Sequence, residues 1–160
     1  MARSLEIVGE RWTLLILRDA FYGVRRFGDF VAHLDIPRAV LSSRLRSLEA
    51  EDVITRVPGP AGHDEYELTA KGKQLWPLMR ELMAWGDRFY SPHGPRRVFR
   101  HAADGGSLDS DGRCEICGMS VPVADTVIEP GPGFGLDGRR EDPVSACIAG
   151  PHRLLEPIRP

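Results

Sequence analysis

Across residues 25–72 the spacing of apolar side chains changes from a helical to a strand period within one short stretch. Phe27, Phe30, Val31 and Leu34 recur at helical intervals, the pattern of a short helix that buries one face. Asp35-Ile36-Pro37 interrupts it, and Pro37 suits the first position of a new helix, where its missing N–H leaves no bond unmade. Leu41, Leu45 and Leu48 then make the stripe of a helix running to about Glu51. Beyond it the chain turns β-prone in Val53-Ile54-Thr55-Arg56-Val57, turn-forming in Pro58-Gly59-Pro60-Ala61-Gly62, and β-prone again in Tyr66-Glu67-Leu68-Thr69. Two helices joined by a tight turn and followed by a hairpin leave few folds open. The order is that of a winged helix-turn-helix, a module that reads duplex DNA.

The flanks extend this unit. Residues 4–22 read as one preceding helix, with Leu5, Val8, Trp12, Leu15, Ile16 and Phe21 at helical spacing and Gly23 as its stop. Thr69 is placed to cap a helix starting near Ala70, with Pro77 marking an adjustment near its start. From about Gln74 to Tyr90 that helix carries two apolar stripes, Leu78, Leu82, Trp85 and Phe89 on one face and Trp76, Met79, Met83 and Tyr90 on a neighbouring one. A small winged domain covers one of them. The other asks for a partner, and a homodimer interface is the expectation. At Ser91-Pro92-His93-Gly94-Pro95 helical periodicity ends and Gly and Pro become frequent. Val98-Phe99-Arg100 and Ser120-Val121-Pro122-Val123 are β-prone, Glu129-Pro130-Gly131-Pro132-Gly133 reads as a turn, and residues from about 139 onward read as weakly ordered. The expected fold class is therefore mainly α with a small β-hairpin wing. A winged helix-turn-helix domain over residues 1–92 precedes a small Gly/Pro-rich β extension over 93–160.

Charge decides less than its placement. The chain has a net charge of −2, yet residues 36–47 hold Arg38, Arg44 and Arg46 and no acid, and a local basic face is what phosphate contact requires. A strongly basic, sequence-blind architectural protein is excluded. No apolar run near the start is long enough to span a bilayer, and the start lacks the pattern of a signal peptide. Three cysteines, two of them in a Cys-x-x-Cys, do not make a secreted disulfide framework, so a cytoplasmic protein is expected. There is no Gly-rich phosphate loop, nucleophile elbow or closely spaced acid pair, which speaks against an enzyme.

A helix entering the major groove needs polar and basic side chains on one face and apolar anchors on the other. Opposite Leu41, Leu45 and Leu48 stand Arg38, Ser42, Ser43 and Arg46, with Arg44 at the edge of the stripe. Arg38, in the first turn, is the first candidate for base-edge contact. Arg25 and Arg26 open the preceding helix, where guanidinium and backbone N–H groups can hold a phosphate. Arg56 and His63 on the wing, and Lys71 just after it, are candidates for the flanking backbone. An exposed Arg taken singly is ordinarily solvated; the order of the elements carries the inference. The alternative is a winged-helix protein-interaction module without specific DNA binding.

Residues 8–18 (Val-Gly-Glu-Arg-Trp-Thr-Leu-Leu-Ile-Leu-Arg), Arg26-Phe27, Ile36-Pro37-Arg38, Leu41-Ser42-Ser43-Arg44-Leu45 and Tyr66-Glu67-Leu68-Thr69 closely resemble the HxlR-type transcriptional regulators, relatives of the MarR group. The resemblance covers about residues 4–92. It implies a dimeric winged-helix repressor or activator acting on a pseudo-palindromic operator in double-stranded DNA, with the first and last helices of the domain building the dimer. It leaves any small-molecule effector unidentified; Trp12, Trp76 and Trp85 are candidates to line a pocket for one. Redox-sensing members carry a cysteine just ahead of the first helix, whereas Met1-Ala2-Arg3-Ser4 holds none, so thiol sensing is not carried over.

In the extension, Cys114-Glu115-Ile116-Cys117-Gly118 can fold into a knuckle that presents two sulfurs to one zinc ion. A closed site needs four ligands, and His101 and Asp104 stand upstream at hairpin distance, with Cys147 and His152 as fallbacks. The tail resembles a zinc-ribbon-like extension of some actinobacterial HxlR-type regulators, in which the upstream pair is commonly His and Cys. Here Asp104 holds the Cys position. A metal-free remnant of such a ribbon is the alternative, and a thioredoxin-like redox site is disfavoured by the lack of a βαβ pattern. Asp109-Ser110-Asp111-Gly112 is best read as a turn, since a calcium loop would need a downstream Glu.

Overall fold

The structure, a computed structural model, describes residues 1–60, 62–136 and 141–160. The expected first helix is two: α1 (Ala2–Val8) and α2 (Arg11–Phe21). The Gly9 N–H bonds to the Leu5 carbonyl at 2.8 Å, an approach that a Cβ on Gly9 would obstruct, and Glu10 is extended with ψ 142°. The apolar stripe continues in sequence across this break, which hides it from periodicity.

α3 (Phe27–Leu34) and α4 (Arg38–Ala50) form the helix-turn-helix. Asp35 ends α3 in the left-handed region, φ 53°, with its N–H on the Val31 carbonyl at 2.9 Å. Pro37 caps α4 from outside rather than serving as its first residue. α4 ends in a Schellman pattern: Val53 N–H on Leu48 O at 2.9 Å, Asp52 N–H on Glu49 O at 3.0 Å, and Asp52 at φ 54°. Leu41, Leu45 and Leu48 are buried against a core that includes Ile16, Leu17, Phe21 and Phe30.

The wing is an antiparallel hairpin of β1 (Ile54–Pro58) and β2 (Asp64–Leu68), with Ile54 opposite Leu68 and Pro58 opposite Asp64. Thr69 caps α5 (Ala70–Lys73) as expected, its hydroxyl oxygen accepting from Gly72 N–H at 3.0 Å while the hydroxyl donates to Asp52 O at 2.7 Å. α6 (Trp76–Tyr90) starts separately, with Pro77 in its first turn, where a missing N–H is harmless. Trp76 and Met79 are buried in the core, while Leu78, Leu82, Trp85 and Phe89 are 44–60% exposed. Tyr90, placed by spacing in one stripe with Trp76 and Met79, is exposed as well.

The extension is a three-stranded antiparallel sheet, in the order β3 (Arg97–His101), β4 (Thr126–Pro130), β5 (His152–Arg153). The strand expected near Ser120–Val123 falls later. Ser120 makes a single bridge to Arg113, and Val123–Asp125 is a 3-10 turn after Pro122. β4 also takes in Glu129 and Pro130, so the turn begins only at Gly131.

The end of the chain corrects the expectation of weak order for residues 141–160; residues 139 and 140 lie outside the described residues. α7 (Pro143–Cys147), capped by the Asp142 side chain, packs on α3, and Val144, Ile148, Leu154 and Ile158 are buried in the core of the winged domain. Leu155 and Ile158 donate to the carbonyls of Phe21 and Gly23 at 2.9 Å each. Gly23, at φ 96°, both stops α2 and lets this strap cross, because a Cβ there would strike the Glu156 carbonyl. The buried residues are spread along a strap instead of repeating on one element, so no period announces them. Among the described residues no helix is long and apolar enough to cross a membrane.

Candidate nucleic-acid interface and metal-ligand cluster

α4 presents Arg38, Ser42 and Arg46 one turn apart, in a row that starts beside its buried leucines and turns away from them toward Arg46. Arg38 and Arg46 are exposed, Ser42 and Ser43 half-buried. Arg46 Nε donates to its own helix at Ser42 O (3.3 Å), the Ser47 hydroxyl to Ser43 O (3.1 Å), and the Arg38 guanidinium lies 5.9 Å from the Phe27 ring centroid. Neither guanidinium is ion-paired among the described residues.

Five of the other basic candidates have partners within the chain. Arg25 pairs with Glu67, and Arg26 with Glu65 at 3.4 Å, so both tie the start of α3 to the wing. Arg44 is half-buried and reaches Glu10 at 2.8 Å, and Arg56 holds Glu49 at 2.7 Å. Lys71 Nζ donates to Glu51 O at 2.5 Å. His63 is exposed in the wing turn.

Two buried carboxylates position this surface, and neither was singled out by spacing. Asp19, fully buried, accepts from Arg18 Nη2 at 2.7 Å and lies 2.7 Å from His33 Nδ1, joining α2 to α3. Glu65, 3% exposed, is held by Arg26 and by Arg159 from the end of the chain. The hydrogen bond from Arg159, with Arg26 adding to it, keeps the Glu65 carboxyl below its ordinary range against the opposing effect of burial. Beside it, desolvation pushes Asp29 upward.

The extension brings His101, Asp104, Cys114 and Cys117 together, with one ligand atom from each within 4.8 Å of the others. Cys117 Sγ is 3.6 Å from His101 Nδ1, and Asp104 Oδ1 is 3.2 Å from both His101 Nδ1 and Cys114 Sγ. Tetrahedral zinc bonds of about 2.0–2.3 Å place neighbouring ligand atoms about 3.3–3.8 Å apart, so the donor set fits that ion. Local backbone shapes the cluster. Ile116 N–H points at Cys114 Sγ (3.4 Å), Gly118 turns the knuckle at φ 71°, and a Cβ on Gly106 would intrude on Cys114 Sγ. The Gly106 N–H, foremost, pulls the Asp104 carboxyl down to about 2, which keeps it an anionic donor. The fallback ligands are elsewhere: Cys147 ends α7, and His152 Nε2 lies 3.2 Å from Glu156 O. Asp109 Oδ1 accepts from the N–H groups of Asp111 and Arg113, the turn expected there.

The three tryptophans do not line one pocket. Trp76 is core, tilted against Phe21 at 5.1 Å and edge-on to Phe99 at 5.3 Å between ring centroids, Trp12 is half-buried under Arg11, and Trp85 is exposed beside Phe89 and Tyr90. A cleft of about 390 Å³ lies instead between α6 and the extension, lined by Arg80, Ala84, Arg97, Phe99, Leu108 and Ser110 among others.

The architecture and the basic outer face of α4 define a winged helix-turn-helix protein of the DNA-binding class. The chain belongs to the HxlR-like helix-turn-helix family, whose model matches residues 7–94. It is 47% identical over 138 residues to the uncharacterized HTH-type transcriptional regulator Rv3095 of Mycobacterium tuberculosis, spanning 84% of this chain and 87% of that one. It is also 30% identical over 95 residues to the HTH-type transcriptional regulator YodB of Bacillus subtilis, spanning 58% and 85% of the two chains. Among solved structures, the candidate transcription factor PA1607 superposes with a TM-score of 0.63 at 34% identity, over 76% of this chain and 85% of that one. The chain is a DNA-binding transcriptional regulator by family and not an enzyme.

Proposed function

We propose that the protein acts as a homodimer on a pseudo-palindromic operator, with α4 of each protomer in the major groove and the two helices about one DNA turn apart. The observation that carries this is the outward face of α4. Arg38 and Arg46 are exposed and, among the described residues, free of carboxylates, on a helix whose angle is set by three buried leucines. Ser42 and Ser43 lie between them for base edges or phosphate, and His63 on the wing faces the flanking backbone. Arg25, Arg26, Arg44, Arg56 and Lys71 act mainly by holding the wing and helices in register. Replacing Arg38 and Arg46 with Ala is expected to weaken operator binding at least tenfold in a gel-shift titration while leaving the melting temperature nearly unchanged, as each base contact contributes about 1–3 kcal/mol. Unaltered affinity would overturn the assignment, and DNA affinity indifferent to salt would favour the protein-interaction alternative.

The exposed stripe of α6 supports the dimer, since apolar side chains in such a row are costly to leave in water. The fit of His101, Asp104, Cys114 and Cys117 supports zinc as a resident ion that crosslinks the extension. Elemental analysis after metal-sparing purification is expected to find close to one zinc per chain; under about a tenth would refute it.

A further inference from the structure

We propose that metal held by the His101, Asp104, Cys114 and Cys117 cluster stiffens α6 through the 107–121 loop and Arg80, so that zinc supply controls the protein's assembly on DNA; this rests on the zinc reading above.

The loop has almost no core of its own. Between residues 107 and 121 only Gly112, Cys114 and Val121 are buried, while Ile116 and Met119 are exposed. Its backbone bonds are those of tight turns and single bridges, such as Cys114 N–H to Met119 O and Val121 N–H to Gly112 O. So little apolar burial does not offset the entropy of ordering such a segment, which makes a crosslink at its base decisive.

The far side of the loop grips α6. Arg80 leaves the inner face of that helix, opposite the exposed Leu78, Leu82, Trp85 and Phe89 stripe, and its side chain is only 11% exposed. Its Nη2 donates to Ser110 O at 2.5 Å, and its guanidinium lies against Gly112 so closely that a Cβ there would strike it. Among the described residues Arg80 Nε is buried without a partner, and the Glu81 carboxylate stands 3.5 Å from Nη2. A loosened loop therefore deprives a nearly buried cation of its main acceptor, a cost borne by α6. Coupling runs both ways, so whatever fixes α6 also tightens the metal.

Asp104 suits such a device. An oxygen donor in place of a thiolate, on an exposed residue, holds zinc less firmly than a closed thiolate site and lets it exchange.

The test is hydrogen–deuterium exchange of the full-length protein, with and without one equivalent of zinc after chelation, alongside bound-metal analysis and sedimentation. Zinc should slow exchange in residues 76–90 by about tenfold and tighten self-association on the same scale. In Arg80→Met, zinc should still bind at one per chain and protect 101–121, but leave 76–90 unchanged. Asp104→Cys should keep both metal and α6 protection at chelator concentrations that strip the parent protein. One bound zinc per chain with α6 exchange unaltered in the parent protein would overturn the coupling and leave the zinc reading standing. Absence of bound zinc would overturn both.

Discussion

Glu65 sits at 3% exposure on the wing strand β2, between guanidiniums contributed from residues 26 and 159. Its depressed pKa, due first to the Arg159 hydrogen bond, fixes the sign of its effect on folding. The ionised form is preferred by the native state, so the contribution is present above the ordinary carboxyl value of 4.5 and is lost as pH falls below it. Asp29, raised mainly by desolvation, acts oppositely and recovers stability on protonation. The net acid profile therefore mixes the two, and a difference experiment separates them. Glu65→Gln should lower the melting temperature most near neutral pH, and its gap from the parent protein should narrow steadily below about pH 4.5. A gap of constant size down to pH 3 would contradict a native-state preference for the Glu65 anion.

Elements whose signals are local were legible in the sequence. The stripes of α3 and α4, the Thr69 cap and the hairpin turn each depend on residues a few positions apart, and the structure places them as expected. The convergence of His101, Asp104, Cys114 and Cys117 was legible too, because a knuckle and an upstream hairpin are short-range devices. Arg25 and Arg26 were not, since their carboxylate partners lie about forty residues away on the wing, and nothing in their own surroundings distinguishes a clamp from a phosphate contact. The Arg159–Glu65 pair spans 94 residues and had no signal at all. The same holds for the lock between α2 and α3, where Asp19 is buried in a stripe that reads as apolar. Asp19→Ala removes the acceptor shared by Arg18 and His33 and should cost about 2–4 kcal/mol in urea unfolding. Asp19→Asn, which retains an acceptor, should cost less. A loss below about 1 kcal/mol for the alanine variant would mean that packing alone fixes α3 against α2.

At the scale of the molecule, α6 is a helix with two different backings. Its inner face meets the core at Trp76 and Met79 and the extension at Arg80, while Leu78, Leu82, Trp85 and Phe89 face outward. The strap that returns from the extension to the Glu65 wing site joins the two ends of this arrangement, so the extension touches both the helix that would build the dimer and the unit that would read DNA. Dimerisation through α6 can be tested without confusing it with folding, because the side chains concerned are already exposed in the single protomer. Leu82→Asp combined with Trp85→Glu should leave far-UV circular dichroism and cooperative unfolding near those of the parent protein, but halve the mass seen by sedimentation. Each protomer would then present one recognition helix to one half-site, and operator affinity should fall at least a hundredfold, the second half-site no longer being delivered at high local concentration. A variant that stays dimeric would place the interface elsewhere. A monomeric variant with full affinity would show that one copy of α4 and its wing are sufficient for binding.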